Sequence, residues 1–492
     1  MIEYVSTRGG SDKVTSAMAI KKGIASDGGL YMPESIPAVD MDFIKGLCTK
    51  SYEERAVSVL SLFLTDYTKD ELTAAANFAY GGGKYEGFPA PVVKLPCGFS
   101  ALELWHGPTA AFKDMALQIC PTLLSTALVK TDEKGDAFIL VATSGDTGKA
   151  ALEGYKDVPH TKIMVFYPED GVSAVQKLQM TTQIGSNVSV CAIKGCFDDA
   201  QTGVKKIFAD EKVRAELAAK GKFFSSANSI NWGRLSPQIV YYFSAYCDMV
   251  NAGTISLGEE INVTVPTGNF GNIFAGYIAR LMGLPIKRLV CASNMNNILT
   301  DFITTGTYDR NREFHLTMSP SMDILISSNL ERFLYLAAGS ERTSAYMKAL
   351  SENGKYSVDA DVFEKLTEAF SAGYCDEQTT SATVKEFYEK EGYLCDTHTA
   401  VALHCAKKYC EETGDTAKML VVSTASPYKF ADSVYTALTG KKSESSLCAL
   451  DDLKAYTGVE ITAPLRNIGE RKVRFTQSID PKDMASAVIA EL

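Results

Sequence analysis

The 492-residue sequence contains 12 cysteines but no Cys-x-x-Cys pair. Cys48, Cys97, Cys120, Cys247, Cys291 and Cys448 stand far apart, and the closest pairs are Cys191/Cys196 and Cys405/Cys410. That scatter argues against a structural zinc site and for reduced thiols rather than a disulfide framework. Histidine is scarce. His106, His160, His315, His398 and His404 show no metal-ligand spacing, and His398 and His404, at i,i+6, do not share a helix face. No apolar run approaches the length of a membrane-spanning helix. The opening residues, Met1 to Arg8, lack a charged-then-apolar signal pattern, so a cytoplasmic location is expected. A basic excess is missing too: the net charge is −10, which argues against nucleic acid or an anionic membrane as main partner. Neither an internal repeat nor a low-complexity tract occurs. At 46% hydrophobic, the chain can bury a large core and more than one domain.

Against this background His106-Gly-Pro-Thr-Ala-Ala-Phe-Lys113-Asp114 is the most informative stretch. Lys113 follows a Gly-Pro turn and opens an apolar helix (Met115, Ala116, Leu117, Ile119). Desolvation lowers a lysine's pKa and frees its amine as a nucleophile, as a Schiff-base lysine requires. The competing reading is a lysine that snorkels from a half-buried helix.

Two Gly-rich loops bear on that choice. The apolar run Phe138–Ala142 leads into Thr143-Ser-Gly-Asp-Thr-Gly148 and then a helix over 149–155. Residues 261–266 lead into Thr267-Gly-Asn-Phe-Gly-Asn272 and a helix over 273–282. Each reads as strand, Gly-rich turn, helix. Glycine admits close approach of an anion, and the helix N-terminus supplies free N–H groups. Neither loop is a Walker A loop or a full dinucleotide fingerprint. Two single-anion cradles and an activated lysine point to a phosphorylated cofactor and an anionic substrate.

Residues 1 to about 95 carry helical patterns at 16–22, 53–63 and 69–79, and read as a helical layer or lid. From about residue 101 strands and helices alternate. Strands are expected at 137–142, 162–167, 188–193, 262–266, 288–292 and 419–423. The intervening helices include 174–184, 198–209 and 237–251. This pattern predicts an α/β architecture of parallel sheets covered by helices on both faces. Ligands bind such sheets at the carboxyl ends of strands, where both Gly-rich loops and Ser423-Thr-Ala-Ser-Pro427 fall. The polar run Ser225 to Arg234 has two readings. It caps a helix through Asn228 or Ser229, or through Ser236 before Pro237, or it clamps an anion with Arg234 as a forked donor.

Taken jointly and in order, these motifs and Asn228-Ser-Ile-Asn-Trp-Gly-Arg234 resemble the threonine synthases. Tyr4-Val-Ser-Thr-Arg-Gly-Gly10 and Asp27-Gly-Gly-Leu-Tyr-Met-Pro33 resemble the N-terminal region of the long-chain branch of that family. The resemblance covers essentially the whole chain. It implies a pyridoxal-phosphate enzyme of fold type II, the tryptophan-synthase-β-like fold: two parallel-sheet α/β domains with an N-terminal helical extension. The division expected is an N-terminal domain at 1–97, a large cofactor-binding domain at 98–135 and 231–492, and a small domain at 136–230. The implied reaction converts O-phospho-L-homoserine and water to L-threonine and phosphate by γ-elimination and β-addition of water.

By the same resemblance, Lys113 forms the Schiff base with pyridoxal 5'-phosphate and shuttles protons. Gly268, Asn269, Phe270, Gly271 and Asn272 cradle the cofactor phosphate, and the Thr424 hydroxyl faces the pyridine nitrogen. Ser144, Asp146 and Thr147 contact the substrate's carboxylate or phosphate, and Asn228, Ser229 and Arg234 lie near its phosphate. Asp146 stands where many fold relatives have asparagine. A serine/threonine dehydratase of the same fold would leave Arg234 idle, and a related phospholyase would eliminate phosphate without adding water. A non-catalytic binding protein would not be expected to retain Lys113. Monomer and homodimer are both open.

Overall fold

The computed structural model describes residues 1–492 apart from Ser144 and Gly171. Its larger sheet has six strands in the order Phe370–Tyr374, Ile286–Ser293, Ile261–Pro266, Lys418–Ser423, Ser100–Glu103, Val92–Lys94. The first five run parallel. The edge strand Val92–Lys94 is antiparallel, a departure from the parallel sheet expected. Its cause is local: a short turn, closed by Leu95 N–H to the Phe99 carbonyl at 2.8 Å, returns the chain at once. A connection that short can join only antiparallel neighbours.

The second sheet has five parallel strands in the order Ser478–Ile479, Val188–Ile193, Thr161–Pro168, Asp136–Ala142, Lys222–Ser225. Its outermost strand comes from the C-terminal segment, which the sequence reading assigned to the large domain. Met484, Ala487 and Val488 of the helix Met484–Ala490 pack with Phe138, Leu140 and Phe166 on one face of this sheet. Apolar residues at i, i+3 and i+4 give that helix the stripe the sheet needs covered. A two-residue strand has no sequence signature, so the placement was not legible.

The central strands are buried along nearly their whole length, Ile261–Pro266 at every residue. Strands of parallel sheets covered on both faces are buried in this way. The helix Trp232–Asn251 is nearly all buried and forms the hub between sheet and N-terminal helices. It begins five residues before Pro237, where the sequence reading started it, and Pro237 lies within it. Its cap is Asn231, whose side chain accepts from Gly233 N–H at 2.9 Å; neither Asn228, Ser229 nor Ser236 fills that role.

The helices Met41–Leu47 and Tyr52–Leu60 pack on this hub. Arg55 donates to Ser244 Oγ at 2.8 Å and to Asp248 at 2.7 Å, and Tyr4 and Phe63 both meet the Trp232 ring edge-on. Ser51 with Glu54, and Thr68 with Glu71, form capping boxes that fix the starts of Tyr52–Leu60 and Lys69–Tyr80. The N-terminal helices thus share one continuous core with the large sheet. Among the described residues no helix is long and apolar enough to cross a membrane.

Candidate active site

Lys113 sits where two loops of the large sheet are sewn together. Phe112 N–H donates to the Thr424 carbonyl at 2.8 Å and Ser426 N–H to the Ala110 carbonyl at 3.1 Å, with an Ala111–Ala425 bridge between them. Asp114, fully buried, takes Thr109 N–H and Thr109 Oγ–H at 2.8 Å each and so fixes the approach to Lys113. The Lys113 side chain is 11% exposed; its Nζ lies 3.8 Å from Asp146 Oδ2 and donates to Ser321 Oγ at 3.4 Å. Burial pushes this amine down to about 8, with Arg234 and Lys429 adding to the shift and Asp146 and Asp114 opposing it. At pH 7 about a tenth of such an amine is unprotonated, far more than for an ordinary lysine, as a nucleophilic lysine requires.

The first Gly-rich loop enters the helix Asp146–Tyr155. Thr143 Oγ accepts from Gly145 N–H at 3.0 Å and Gly148 N–H at 2.9 Å. Gly145 has φ +137°, and a Cβ there would collide with the Gln176 side chain, so glycine is required. Asp146 is buried and Thr147 half-buried, while Ser144 lies outside the described residues. Burial would raise the Asp146 carboxyl, but Lys429, Lys113 and the Gln176 amide hold it well below the usual range.

The second loop enters the helix Gly271–Met282 from Phe270, which adopts φ +61°. A Cβ on Gly268 would stand 2.7 Å from the Ser321 carbonyl oxygen. The loop therefore touches the residue whose hydroxyl meets Lys113. Ser327 Oγ–H binds the Gly268 carbonyl at 2.7 Å, and Asn329 N–H and side-chain amide bind the Asn269 carbonyl at 3.1 and 3.0 Å. Asn272 is buried; its Oδ1 accepts from Tyr241 and Tyr242 hydroxyls at 2.7 and 2.6 Å, while its Nδ2 has no partner among the described residues. An unpaired buried amide N–H beside free helix N-terminal amides is suited to an anion.

Arg234 is buried with its Nη1 on the Ala227 carbonyl at 2.8 Å, and no carboxylate pairs with it among the described residues. Burial pushes the guanidinium down to about 10. Ser229 accepts from Asn329 at 3.3 Å, which joins the 228–234 segment to the 268–272 loop; Asn228 is exposed. Thr424 is buried beside Phe112, with its hydroxyl unbonded among the described residues.

The structure adds residues that the sequence reading passed over. Lys429, Gln176 and Gln179 surround Asp146 and the Thr109 carbonyl. Ser321 is seated by His398, whose Nε2 accepts Ser321 N–H at 3.1 Å while its Nδ1 faces Asp396 at 2.8 Å. Arg332, wholly buried, binds Asn329 and the Ile230 carbonyl and stiffens the wall behind Ser229. Only His398 and the turn before Lys429 had been singled out in the sequence. Among the described residues no group of three or more His, Cys, Asp or Glu is placed to hold a metal.

Residues 3–80 match the family model described as threonine synthase N terminus, residues 86–425 the model of pyridoxal-phosphate dependent enzymes, and residues 399–477 the model of the threonine synthase C-terminal region. Human threonine synthase-like 1 is 40% identical over 455 residues, which cover 90% of this chain and 60% of that protein. The chain thus spans about 60% of the length of that relative. The threonine synthase of Pseudomonas aeruginosa is 38% identical over 446 residues, covering 89% of this chain and 91% of that one. The crystal structure of pyridoxal-phosphate-bound threonine synthase from Brucella melitensis superimposes with a TM-score of 0.89 at 36% identity, covering 100% of this chain and 99% of that one. The chain belongs to the threonine synthase family of pyridoxal-phosphate dependent enzymes.

Proposed function

We propose that this protein is itself a threonine synthase that converts O-phospho-L-homoserine and water to L-threonine and phosphate. The observation that carries the reading is one buried, deprotonation-prone amine, Lys113, beside a glycine cradle at the start of Gly271–Met282 and near a guanidinium, Arg234, that has no carboxylate partner among the described residues.

The residues fit pyridoxal 5'-phosphate. Asn272 keeps a buried Nδ2 that has no partner among the described residues, and Gly268 leaves backbone exposed where a Cβ would have to displace Ser321. We assign the cofactor phosphate to Gly268, Asn269, Phe270, Gly271 and Asn272, the ring nitrogen to the Thr424 hydroxyl, and the carbonyl carbon to the Lys113 amine. When bound, the cofactor acts as an electron sink that acidifies the hydrogens on the substrate's Cα and Cβ.

The remaining chemistry falls to side chains. Lys113 relays protons: those taken in turn from Cα and Cβ are returned to Cγ and to Cα, while water supplies the hydroxyl at Cβ and its proton goes to the departing phosphate. Arg234 binds the substrate phosphate as a fork and stabilises it as it leaves, with Ser229 and Asn228 alongside. Ser144 and Thr147 address the substrate's carboxylate end or its phosphate, with Asp146 of the same loop turned to Lys113. The buried walls exclude bulk water until the phosphate has gone, so that addition at Cβ wins over premature hydrolysis. In this reading the sheet of 261–293 is the floor of the cofactor domain and the sheet of 136–225 the smaller domain that meets it over the substrate. A cytoplasmic location fits the free cysteines.

The test is a product balance on the full chain loaded with pyridoxal phosphate and given O-phospho-L-homoserine. Phosphate and threonine in equal amounts are expected. Phosphate with 2-oxobutyrate would make the protein a phospholyase, and turnover of serine or threonine instead would make it a dehydratase. No product at all would overturn the assignment.

A further inference from the structure

We propose that Lys429 is a positioning residue for Lys113: paired with Asp146, it presents one carboxylate oxygen to the Lys113 amine and locks the two sheets together at the site. Lys429 lies on the short turn Pro427–Phe430, directly after the large-sheet strand Lys418–Ser423. Its side chain is 0% exposed. An ammonium has three N–H donors, and here each meets an acceptor: Asp146 Oδ1 at 2.9 Å, Gln179 Oε1 at 2.8 Å and the Thr109 carbonyl at 3.0 Å. Asp146 and Gln179 belong to helices flanking the small sheet, whereas Thr109 belongs to the loop that carries Lys113. One side chain therefore bridges both sheets and the catalytic loop.

The pair also orients Asp146. Lys429 and the Gln176 amide, at 2.9 Å each, both engage Oδ1, which leaves Oδ2 to face Lys113 Nζ at 3.8 Å. A carboxylate without that partner would close onto Lys113 as a tight ion pair. Held by Lys429 it stays ionised, aligned and one step short of a tight ion pair with the amine. Lys429 thus explains how the site tolerates an aspartate at 146.

The inference rests on Lys113 being the cofactor lysine, and its test separates the two claims. Full-length Lys429→Met, Asp146→Asn and the double variant are compared. The first readout is the pH midpoint of Lys113 acylation in the cofactor-free chain, by mass spectrometry. The charged groups facing Lys113 are Asp146, Asp114, Arg234 and Lys429. Removing Lys429 deletes a like charge, so the midpoint should rise by about one pH unit. Asp146→Asn deletes the opposite charge, so it should fall by about as much. The double variant should return close to the parent value. The second readout is the pyridoxal phosphate dissociation constant, which should weaken about tenfold in each single variant and recover in the double, as expected for a coupled buried pair.

An unchanged midpoint in Lys429→Met, or losses that add in the double variant, would overturn the proposal. If Lys429→Met does not fold, a folded double variant supports the pair, and a double variant that folds no better refutes it. The midpoints are read without cofactor or substrate, so a wrong reaction assignment would leave them in place.

Discussion

Replacing Arg234 by methionine should weaken catalysis and strengthen the empty fold, and the two effects can be sized. Burial lowers the guanidinium to about 10, which puts the penalty on its charged form at about 3 kcal/mol. Against that stands one hydrogen bond to the Ala227 carbonyl, worth about 1 kcal/mol net. Methionine keeps most of the apolar stem, so little packing is lost. The ligand-free variant should therefore be more stable by about 2 kcal/mol, read as a higher urea midpoint at unchanged slope.

With substrate the sign reverses. A forked contact to a phosphate supplies about 3 kcal/mol, so kcat/KM for O-phospho-L-homoserine should fall about 100-fold. The pyridoxal phosphate dissociation constant should stay within about twofold, because no cradle residue is touched. The assays are steady-state phosphate release, cofactor titration by absorbance and urea unfolding. An unchanged kcat/KM would remove Arg234 from the substrate site. A large loss of stability would show that the guanidinium serves the fold instead.

Further outcomes follow from other parts of the site. Lys113→Ala should abolish turnover, and normal phosphate release by that variant would refute the mechanism. Gly268→Ala places a Cβ 2.7 Å from the Ser321 carbonyl oxygen, so the loop must shift; cofactor affinity should fall about tenfold or more, and a parent-like dissociation constant would contradict the cradle. Burial raises the Asp114 carboxyl from 3.8 to about 7. The folded state thus binds that proton more tightly than the unfolded chain, and the stability it confers at low pH is lost as pH rises from about 4 to about 7. That difference is about 4 kcal/mol, and Asp114→Asn should flatten the parent's stability slope across this window. Identical slopes would show that Asp114 does not carry it.

How much of this was legible depended on distance along the chain. Phe138–Ala142 and residues 261–272 showed strand, Gly-rich turn and helix start within one local run, because apolar periodicity and glycine act over a few residues. The boundaries slipped where a side chain overruled the pattern: Asn231 starts its helix five residues ahead of Pro237. The surroundings of Asp146 could not be read locally at all. Lys429 reaches Thr109 across 320 positions and Gln179 across 250, and Asp396–His398 reaches Ser321 across 77. A lysine in Pro427–Phe430 carries no local mark of burial. The edge strand Ser478–Ile479 was hidden likewise, since pairing with Val188–Ile193 alone defines it.

The central claim is that Lys113, among several buried lysines, holds the cofactor. Borohydride reduction of the cofactor-loaded chain followed by peptide mapping tests it directly. Lys149 and Lys429 are the internal controls, being more deeply buried and already occupied, Lys149 by Glu153 and Lys429 by Asp146. The cofactor's mass should appear on the peptide containing Lys113 and on no other. The same mass on Lys149 or Lys429, or on no lysine, would contradict the account.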